Sequence, residues 1–333
     1  MFISDTLTSI LNQKKSNGWQ FEILISDGGS TDGTLEIIRN IILKNPNVHL
    51  IKNSQKIVSS GFNLALNKVN GEIIIRVDGH CKIAQNYIEK CYNLLKETDA
   101  DIVGGVIETI SSGLIGNAIS IAQSSLFGVG GVKFRDKDSE EAGYVDTLAF
   151  GAHRREIFAD IGGYDEEMVC NQDDEFNHRV LQAGKKIWMD PSIKTKYFSR
   201  STFSRLFKQY FNYGLYKVRG IQKRGGIVSI RHLIPSTFIV ALIFTLIIGF
   251  FLQSPWISFS VGFLYLIFNL SASIFSTSSI SVIPLISLAF WTLHLGYGLG
   301  FIWGLIRFIN KWKDTELKDF NFNKEHFCSH NLK

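Results

Sequence analysis

Charged side chains are missing from one long stretch of this 333-residue chain, because residues 233–306 contain no Asp, Glu, Lys or Arg. A helix that crosses a bilayer needs about 20 apolar residues. The stretch therefore predicts an α-helical transmembrane region of about three helices, with apolar segments at 233–252, 256–275 and 280–306. A wholly soluble or disordered chain is excluded.

Cysteine is scarce and irregularly spaced, and the N-terminus lacks a leader pattern. The four cysteines show neither a Cys-x-x-Cys pair nor zinc-finger spacing, which excludes a disulfide scaffold and fits a reducing compartment. Residues 1–12 carry Asp5 and no long apolar run, so no secretory signal peptide is predicted. We therefore expect the part of the chain before the membrane region to stay in the cytoplasm.

The charges that are present are unevenly distributed. Residues 1–184 hold 17 Lys and Arg against 25 Asp and Glu, whereas residues 185–231 hold 12 bases and one acid. We interpret these segments as an acidic globular domain and a basic, aromatic collar, followed by the transmembrane region and a polar tail at 307–333. A basic collar next to a membrane span indicates contact with anionic lipid headgroups. A nucleic-acid groove has a similar composition, but we expect no nucleic-acid partner.

The collar also predicts the orientation of the chain. By the positive-inside rule it places residues 1–231 on the cytoplasmic side of the inner membrane, in a multi-pass protein. Three spans would then put Arg307, Lys311 and Lys313 outside, against the same rule. Two explanations remain open, a re-entrant segment or a tolerated external tail.

Strands and helices alternate in the acidic domain. Residues 21–27, 48–51 and 71–80 are typical of buried strands, and a helical segment follows each of them. This alternation predicts an α/β fold with a mostly parallel sheet and helices on both faces. Ligands of such sheets bind beyond the carboxyl ends of the strands, where Asp27 and Asp78 would share one crevice.

Two acidic turns follow these strands. The sequence DGGS at 27–30 fits an ordinary turn before a helix cap, and DGH at 78–80 fits a turn with a surface histidine. Asp78 and His80, however, are one residue apart at a strand end and could face the same divalent cation. Carboxylate and imidazole ligands suit Mn²⁺, which would neutralise charge on a diphosphate leaving group.

A third cluster combines three carboxylates, Asp173, Asp174 and Glu175. Adjacent carboxylates repel one another, so the cluster needs either solvent or a function. The helix predicted after it ends at Gly184, which puts the acids in the first turn, where the helix dipole favours them. A solvated helix cap and a catalytic acid are both consistent with this pattern.

The three acidic clusters occur in a recognisable order and spacing. The sequence carries DGGSTDGT at 27–34, RVDGH at 76–80, and a segment at 143–188 that contains GYVDTLAFG and NQDDEFNHRVLQAGKKIW. Over residues 3–220 this order resembles family 2 glycosyltransferases of the GT-A fold, and more narrowly their succinoglycan-synthesis branch. The resemblance implies an inverting enzyme that moves a hexose from a UDP-sugar to a lipid-linked or polysaccharide-precursor acceptor, in exopolysaccharide or cell-surface glycan synthesis.

The resemblance implies a role for each cluster. Asp27 and Gly29 match the nucleotide-sugar-binding turn, in which the acid binds the uridine. Asp78 matches an element near the ribose or the metal, and His80 matches a ligand of the divalent metal, Mn²⁺ or Mg²⁺. Asp173 matches the general base that deprotonates the acceptor hydroxyl.

The chain also departs from the family pattern. Gln172 stands where the family often has Glu, and Asp174 is a neighbour of the matched base. In the family's Q-x-x-R-W element Gln209 is kept, but Leu215 and Tyr216 stand at the Arg and Trp positions. Asp174, Gln209 and Tyr216 are therefore candidates for contact with the acceptor or the diphosphate.

The start of the chain departs from the family as well. Family members open with a strand and a loop that holds the uracil, whereas Met1 falls after that loop and TLTSILNQ at 6–13 matches the next helix. We expect either a start codon assigned too late or a truncated relative. Two other functions stay open, a catalytically silent membrane-bound relative that serves as an assembly partner, and a processive polysaccharide synthase.

Overall fold

The structure is a computed structural model that describes residues 2–14, 19–131, 133–135, 140–226 and 230–328. The chain folds into two compact units. The first unit contains residues 1–108, 137–197 and 316–333, and the second contains residues 109–136 and 198–315.

The strands belong mainly to the first unit. In chain order they are β1 (Ile23–Asp27), β2 (Val48–Lys52), β3 (Ile73–Ile75), β4 (Cys81–Ile83), β5 (Ile102–Ile110), β6 (Gly143–Tyr144), β7 (Gly151–Arg154) and β8 (Ile187–Phe198).

The helices are shared between the two units. In chain order they are α1 (Phe2–Leu11), α2 (Thr34–Ile42), α3 (Val58–Leu66), α4 (Tyr87–Glu97), α5 (Gly113–Ser124), α6 (Leu126–Val129), α7 (Glu156–Ile161), α8 (Gln172–Gln182), α9 (Phe203–Arg224), α10 (Ile234–Phe251), α11 (Pro255–Phe275), α12 (Ile283–Arg307) and α13 (Glu325–Cys328).

The sheet is mixed. β1 and β2 form a parallel pair in which Ile23 is level with Val48 and Asp27 with Lys52. The larger sheet has the order β3-β7-β5-β8-β4, with β6 beside β8. In it β7 runs antiparallel to β3 and β5, and β4 runs antiparallel to β8. The predicted α/β class is confirmed, but the arrangement is mixed instead of mostly parallel, because β4, β6 and β7 run antiparallel to the strands beside them. The parallel pair β1–β2 carries Asp27 at its carboxyl end.

Apolar packing holds the end of β1 in place. Leu7 of α1, Ile23 of β1, Ile38 of α2 and Val48 of β2 form one buried cluster. α2 begins after Gly33, whose φ of 87° ends the loop between β1 and this helix. The cluster therefore fixes the strand that presents Asp27.

The basic segment predicted as a collar takes two different structures. Residues 187–198 form β8, in which buried Ile193, Thr195 and Tyr197 alternate with exposed Lys194 and Lys196. Alternation of this kind is typical of a half-buried strand. The later part of the segment forms the 22-residue helix α9 in the second unit.

The second unit is helical, and its core joins α5, α9 and α12. Ala118 and Ile119 pack with Leu206, Ile286 and Phe290 in one buried cluster. Three of the described helices are long and apolar enough to cross a membrane by length and composition, and they coincide with the predicted apolar segments; they are Ile234–Phe251, Pro255–Phe275 and Ile280–Arg307.

Candidate active site

Asp27 ends β1 and organises the turn that follows. Its Oδ1 accepts hydrogen bonds from the backbone N–H of Gly29 at 2.7 Å and of Ser30 at 2.9 Å. Its Oδ2 accepts a hydrogen bond from the Ser30 hydroxyl at 2.6 Å. Gly29 has a φ of 87°, which residues with a side chain rarely adopt. The DGGS sequence thus forms a tight turn closed around one carboxylate.

The Asp27 carboxyl is held in its ionised form. Burial acts to raise its pKa, since the residue is only 8% exposed. The hydrogen bonds from Ser30 and Gly29 stabilise the anion more strongly and lower the pKa below its usual value. The end of β1 therefore carries a fixed negative charge that can accept hydrogen bonds from a ligand.

Arg76 lies just beyond β3 and is buried. Its Nη2 and Nε lie 2.9 and 3.0 Å from Oδ1 of Asp78. Its Nη1 donates to the Tyr164 hydroxyl at 3.5 Å, and the guanidinium lies 5.6 Å from the centre of the same ring. Arg76 therefore fixes the orientation of the Asp78 carboxylate from inside the protein.

Asp173 lies in the first turn of α8, after Asn171 in the left-handed region at φ 60°. Its Oδ1 accepts a hydrogen bond from the backbone N–H of Asp174 at 2.9 Å. Loss of hydration raises the pKa of Asp173, the positive charge of Arg76 lowers it, and the negative charges of Asp174 and Asp78 raise it again. The net direction is upward.

His80 lies on the same turn as Asp78, between β3 and β4. The backbone carbonyl of Asp78 accepts a hydrogen bond from the N–H of Cys81 at 3.0 Å, which closes the turn. The His80 ring packs edge-on against Tyr197 of β8, with ring centroids 4.7 Å apart. The turn therefore presents one carboxylate and one imidazole.

The donor set for a metal is small. Within the described ranges, no group of three or more His, Cys, Asp and Glu side chains is arranged to hold a metal ion. Asp78 and His80 provide one oxygen-donor group and one nitrogen donor, a combination that suits Mn²⁺. Two protein ligands fit a metal whose other ligands are water and substrate phosphate oxygens.

The remaining candidates lie in two places. Asp174 is partly exposed beside Asp173 in the first unit, whereas Gln209 and Tyr216 belong to α9 in the second unit. Gln209 donates from Nε2 to the Tyr213 hydroxyl at 2.8 Å. Contact of these residues with acceptor or diphosphate stays a prediction.

Sequence reasoning missed two residues of this site, Arg76 and Tyr164. Arg76 had a visible signal, because an arginine follows three isoleucines in a segment that reads as a buried strand. Tyr164 had none, since it lies in a loop and is buried only through the tertiary fold. Arg76 contacts both Asp78 and Tyr164, and its positive charge lowers the pKa of Asp173.

Residues 2–160 match the family model described as Glycosyl transferase family 2. The match contains the Asp27 turn and the Asp78–His80 turn, and it ends before α8. Residues 2–160 are therefore a family 2 glycosyltransferase domain, and the resemblance seen in the sequence is confirmed.

Curated relatives extend the similarity beyond that domain. The chain is 33% identical over 219 residues to the succinoglycan biosynthesis protein ExoA of Rhizobium meliloti (strain 1021), with 64% of each chain covered. The match thus spans less than two thirds of that relative. The chain is also 28% identical over 258 residues to the dolichyl N-acetyl-alpha-D-glucosaminyl phosphate 3-beta-D-2,3-diacetamido-2,3-dideoxy-beta-D-glucuronosyltransferase of Methanococcus voltae, covering 74% of this chain and 78% of that protein.

A solved structure shares the fold. The mannosyltransferase PcManGT from Pyrobaculum calidifontis, in complex with GDP-Man and Mn²⁺, superposes with a TM-score of 0.55 at 15% identity, over 91% of this chain and 83% of that one. At this identity the likeness concerns the fold alone. It agrees with the GT-A fold expected from the sequence.

Proposed function

We propose that this chain is an inverting hexosyltransferase that moves a hexose from a UDP-sugar to a lipid-linked or polysaccharide-precursor acceptor, in exopolysaccharide or cell-surface glycan synthesis. One observation carries the proposal. The buried guanidinium of Arg76 pairs with Asp78 and also lowers the pKa of Asp173. The acid proposed for the donor side and the acid proposed as base thus share one cation.

The Asp27 turn is the proposed site for the nucleoside. A uracil ring offers an N–H donor, and Asp27 is an ionised acceptor at the end of β1. Gly29 brings backbone close to the ligand without a side chain in the way. PcManGT holds a sugar nucleotide, GDP-Man, which supports a nucleotide-sugar donor here. The preference for UDP rests on the resemblance of the DGGS turn.

Asp173 is the proposed general base. Its carboxylate takes the proton of the acceptor hydroxyl, whose oxygen then attacks the anomeric carbon. The bond from that carbon to the diphosphate breaks on the opposite face, so the configuration inverts. General-base assistance of this kind contributes about 10²–10⁴-fold to the rate. A pKa above the ordinary aspartate value makes the carboxylate a stronger base for this step.

Asp78 and His80 are the proposed metal ligands. A bound Mn²⁺ or Mg²⁺ would neutralise the negative charge of the leaving diphosphate. Arg76 binds one oxygen of Asp78 through two nitrogens, and these two contacts limit the rotation of the carboxylate.

The acceptor is proposed to be membrane-bound. The described part of the chain contains three candidate membrane helices, and the Methanococcus voltae relative is named for a dolichyl-phosphate-linked sugar. Asp174, Gln209 and Tyr216 are proposed to contact the acceptor or the diphosphate. We propose a multi-pass protein of the inner membrane with its catalytic unit in the cytoplasm, where sugar nucleotides would reach it.

The test is the substitution Asp173→Asn, with UDP release and UDP binding measured separately. We expect transfer to fall by at least about 10²-fold, while calorimetry shows UDP binding retained. Asp160→Asn is the control, because Asp160 is 53% exposed and pairs with Lys185 at the surface. It should behave as the wild type. Unchanged transfer in Asp173→Asn would remove the base assignment, and a wild type that neither binds UDP nor transfers would favour the catalytically silent alternative.

A further inference from the structure

The tail that follows the apolar helices returns to the first unit. The backbone N–H and Nδ2 of Asn321 donate to the Glu166 carboxylate at 2.8 and 2.6 Å. Phe327 is 3% exposed and lies 4.7 Å from the Arg155 guanidinium. The chain thus leaves the first unit, passes through the apolar helices and comes back to the same folded body. A segment whose two ends lie on one side of a membrane crosses it an even number of times.

Hydrogen bonds within the second unit also place both ends of the apolar region on one side of the membrane. Gln222, which precedes the apolar helices, donates from Nε2 to the carbonyl of Phe308, which follows them, at 2.8 Å. Arg219 donates to the backbone carbonyl of Asp314 at 2.9 Å and pairs with its carboxylate at 3.2 Å. The Arg219 side chain is fully buried. These bonds join the polar segments on either side of α10–α12, so both segments lie on one side.

Three helices among the described residues qualify as spans, so an even number of crossings means that at least one of them does not cross. Burial distinguishes them. α10 and α11 bury few residues, and large side chains such as Phe244 and Phe263 are 61% and 66% exposed. α12 is buried along much of its length, and its buried residues are Ile286, Ser287, Ala289, Phe290, Leu293, Gly296, Gly298, Gly300, Phe301 and Gly304.

Glycines bring α12 into close contact with α9. A Cβ on Gly300 would overlap the carbonyl oxygen of Phe211, and a Cβ on Gly304 would lie 2.7 Å from that of Leu215. α9 carries the exposed bases Arg205 and Lys208, which are costly inside the hydrocarbon of a bilayer. A helix packed this closely along α9 stays with it at the level of the polar headgroups.

α12 contacts α10 and α11 at one end of that helix pair, where the chain enters α10 and leaves α11. A Cβ on Gly298 would lie 2.5 Å from the carbonyl oxygen of Pro235, in the first turn of α10. Asn269, in the second half of α11, donates to the carbonyl of Ser287 at 3.1 Å. At the opposite end Gly249 packs on Ser258, which joins α10 to α11. α12 therefore lies across the base of an α10–α11 hairpin.

We infer that α10 and α11 cross the bilayer as a helical hairpin, and that α12 does not cross but lies in the cytoplasmic interface. At about 1.5 Å per residue, the 18 and 21 residues of the two helices match the thickness of the hydrocarbon. The exposed apolar side chains of α12, such as Leu288, Leu299 and Ile306, face lipid. The cytoplasmic side rests on the proposed function, whereas the two crossings do not.

This topology resolves the conflict in the charge pattern. With three crossings the basic segment after α12 would lie outside, against the positive-inside rule. With two crossings Arg307, Lys311 and Lys313 lie on the same side as the basic residues of α9. The α12 helix then has one face packed on α9 and another face, with Leu288, Leu299 and Ile306, in the membrane.

The test is labelling of single added cysteines by a membrane-impermeant maleimide, in intact cells and after permeabilisation, on the full-length chain. Ser254→Cys reports the α10–α11 loop, Thr315→Cys the segment after α12, and Lys44→Cys the first unit. The unsubstituted chain is the background control, because Cys170 is partly exposed and can react with the maleimide, whereas Cys81 and Cys91 are buried. We expect Ser254→Cys to be labelled in intact cells, and Thr315→Cys and Lys44→Cys only after permeabilisation.

Each other pattern overturns part of the inference. Labelling of both Ser254→Cys and Thr315→Cys in intact cells, with Lys44→Cys protected, would establish three crossings. Protection of Ser254→Cys in intact cells would mean that the hairpin does not reach the far side. Labelling of Lys44→Cys in intact cells would refute the cytoplasmic placement. The readout does not depend on transfer, so its failure is distinguishable from failure of the proposed function.

Discussion

The guanidinium of Arg76 meets the carboxylate of Asp78 through two nitrogens that converge on one oxygen. Nη2 and Nε lie 2.9 and 3.0 Å from Oδ1. The pair is formed by a buried base and a partly exposed acid, so solvent screens the charge of Arg76 only weakly. The same charge lowers the pKa of Asp173, so Arg76 positions Asp78 and acts electrostatically on Asp173.

Replacing Arg76 should change the pH dependence of transfer. Arg76 lowers the pKa of Asp173, so its removal raises that pKa further. A general base acts when deprotonated, and activity is lost as the pH falls through its pKa. Arg76→Met should therefore move the acidic limb of the kcat/KM profile to higher pH, and Arg76→Lys should move it less.

The control for this prediction is Arg179→Lys, which alters an arginine of α8 that pairs with Glu175 instead. Thermal unfolding should be measured in both series, because removing a buried base from its ion pair also destabilises the fold. An acidic limb at the same pH in folded Arg76→Met would show that Arg76 does not act on the base.

Replacing Asp27 should weaken nucleotide binding and stability together. The pKa of Asp27 is lowered in the folded protein, so the group stabilises the fold above its unfolded pKa of about 3.9. That stabilisation is lost as the pH falls through the lower folded pKa. Asp27→Asn should lower the Tm in detergent at pH values near about 7, and the difference from wild type should shrink below about pH 4.

Ser30→Ala is the matched comparison for Asp27→Asn. It removes the hydroxyl donor and keeps the two backbone donors of Gly29 and Ser30. We expect a loss of about 1 kcal/mol or less and a smaller loss of UDP affinity. Equal UDP affinity in Asp27→Asn and wild type, measured by calorimetry, would contradict the nucleotide-site assignment.

Adding one methyl group to α12 should destabilise the second unit. In Gly300→Ala the new Cβ meets the backbone of Phe211, which cannot move without separating α9 from α12. Overpacking of this kind costs about 1–3 kcal/mol. Gly262→Ala is the control, because its Cβ would find Leu242 at an ordinary 3.7 Å. A Tm in detergent that falls equally in both variants would argue against the α9–α12 contact.

Truncating one aromatic side chain of the tail should destabilise the first unit. Phe327 is 3% exposed, and its ring lies 5.8 Å from that of Phe158 in α7. Phe327→Ala should cost about 3–5 kcal/mol, whereas Phe320→Ala, at a position 79% exposed, should change stability by about 0.5 kcal/mol or less. Equal thermal unfolding of the two variants would show that the tail does not pack on the first unit.

Local patterns predicted the parts of the fold that local forces determine. The DGGS turn was readable because glycine and a short acidic side chain favour it, and the structure closes it around Asp27. The end of α8 was readable from Gly184, which has a φ of 74°. The apolar helices were readable from the absence of charge over 233–306.

The parts that depend on tertiary contacts were not readable. β8 has a two-residue alternation, but its lysines raised the charge count of the segment and concealed the buried Ile193 and Tyr197. The tail of residues 316–328 has no periodic pattern, because single side chains such as Phe327 hold it. The glycines of α12 pack against α9, and this partner is defined only by the fold.

Release of nucleoside diphosphate by membranes that contain the full-length chain tests the proposed transfer most directly. The membranes are supplied with Mn²⁺, lipid extract and a panel of UDP-hexoses, with GDP-mannose as the competing donor class. We predict release of UDP from one or more UDP-hexoses by the wild type and none above background by Asp173→Asn. Release from GDP-mannose alone, or equal release by the wild type and Asp173→Asn, would contradict the account.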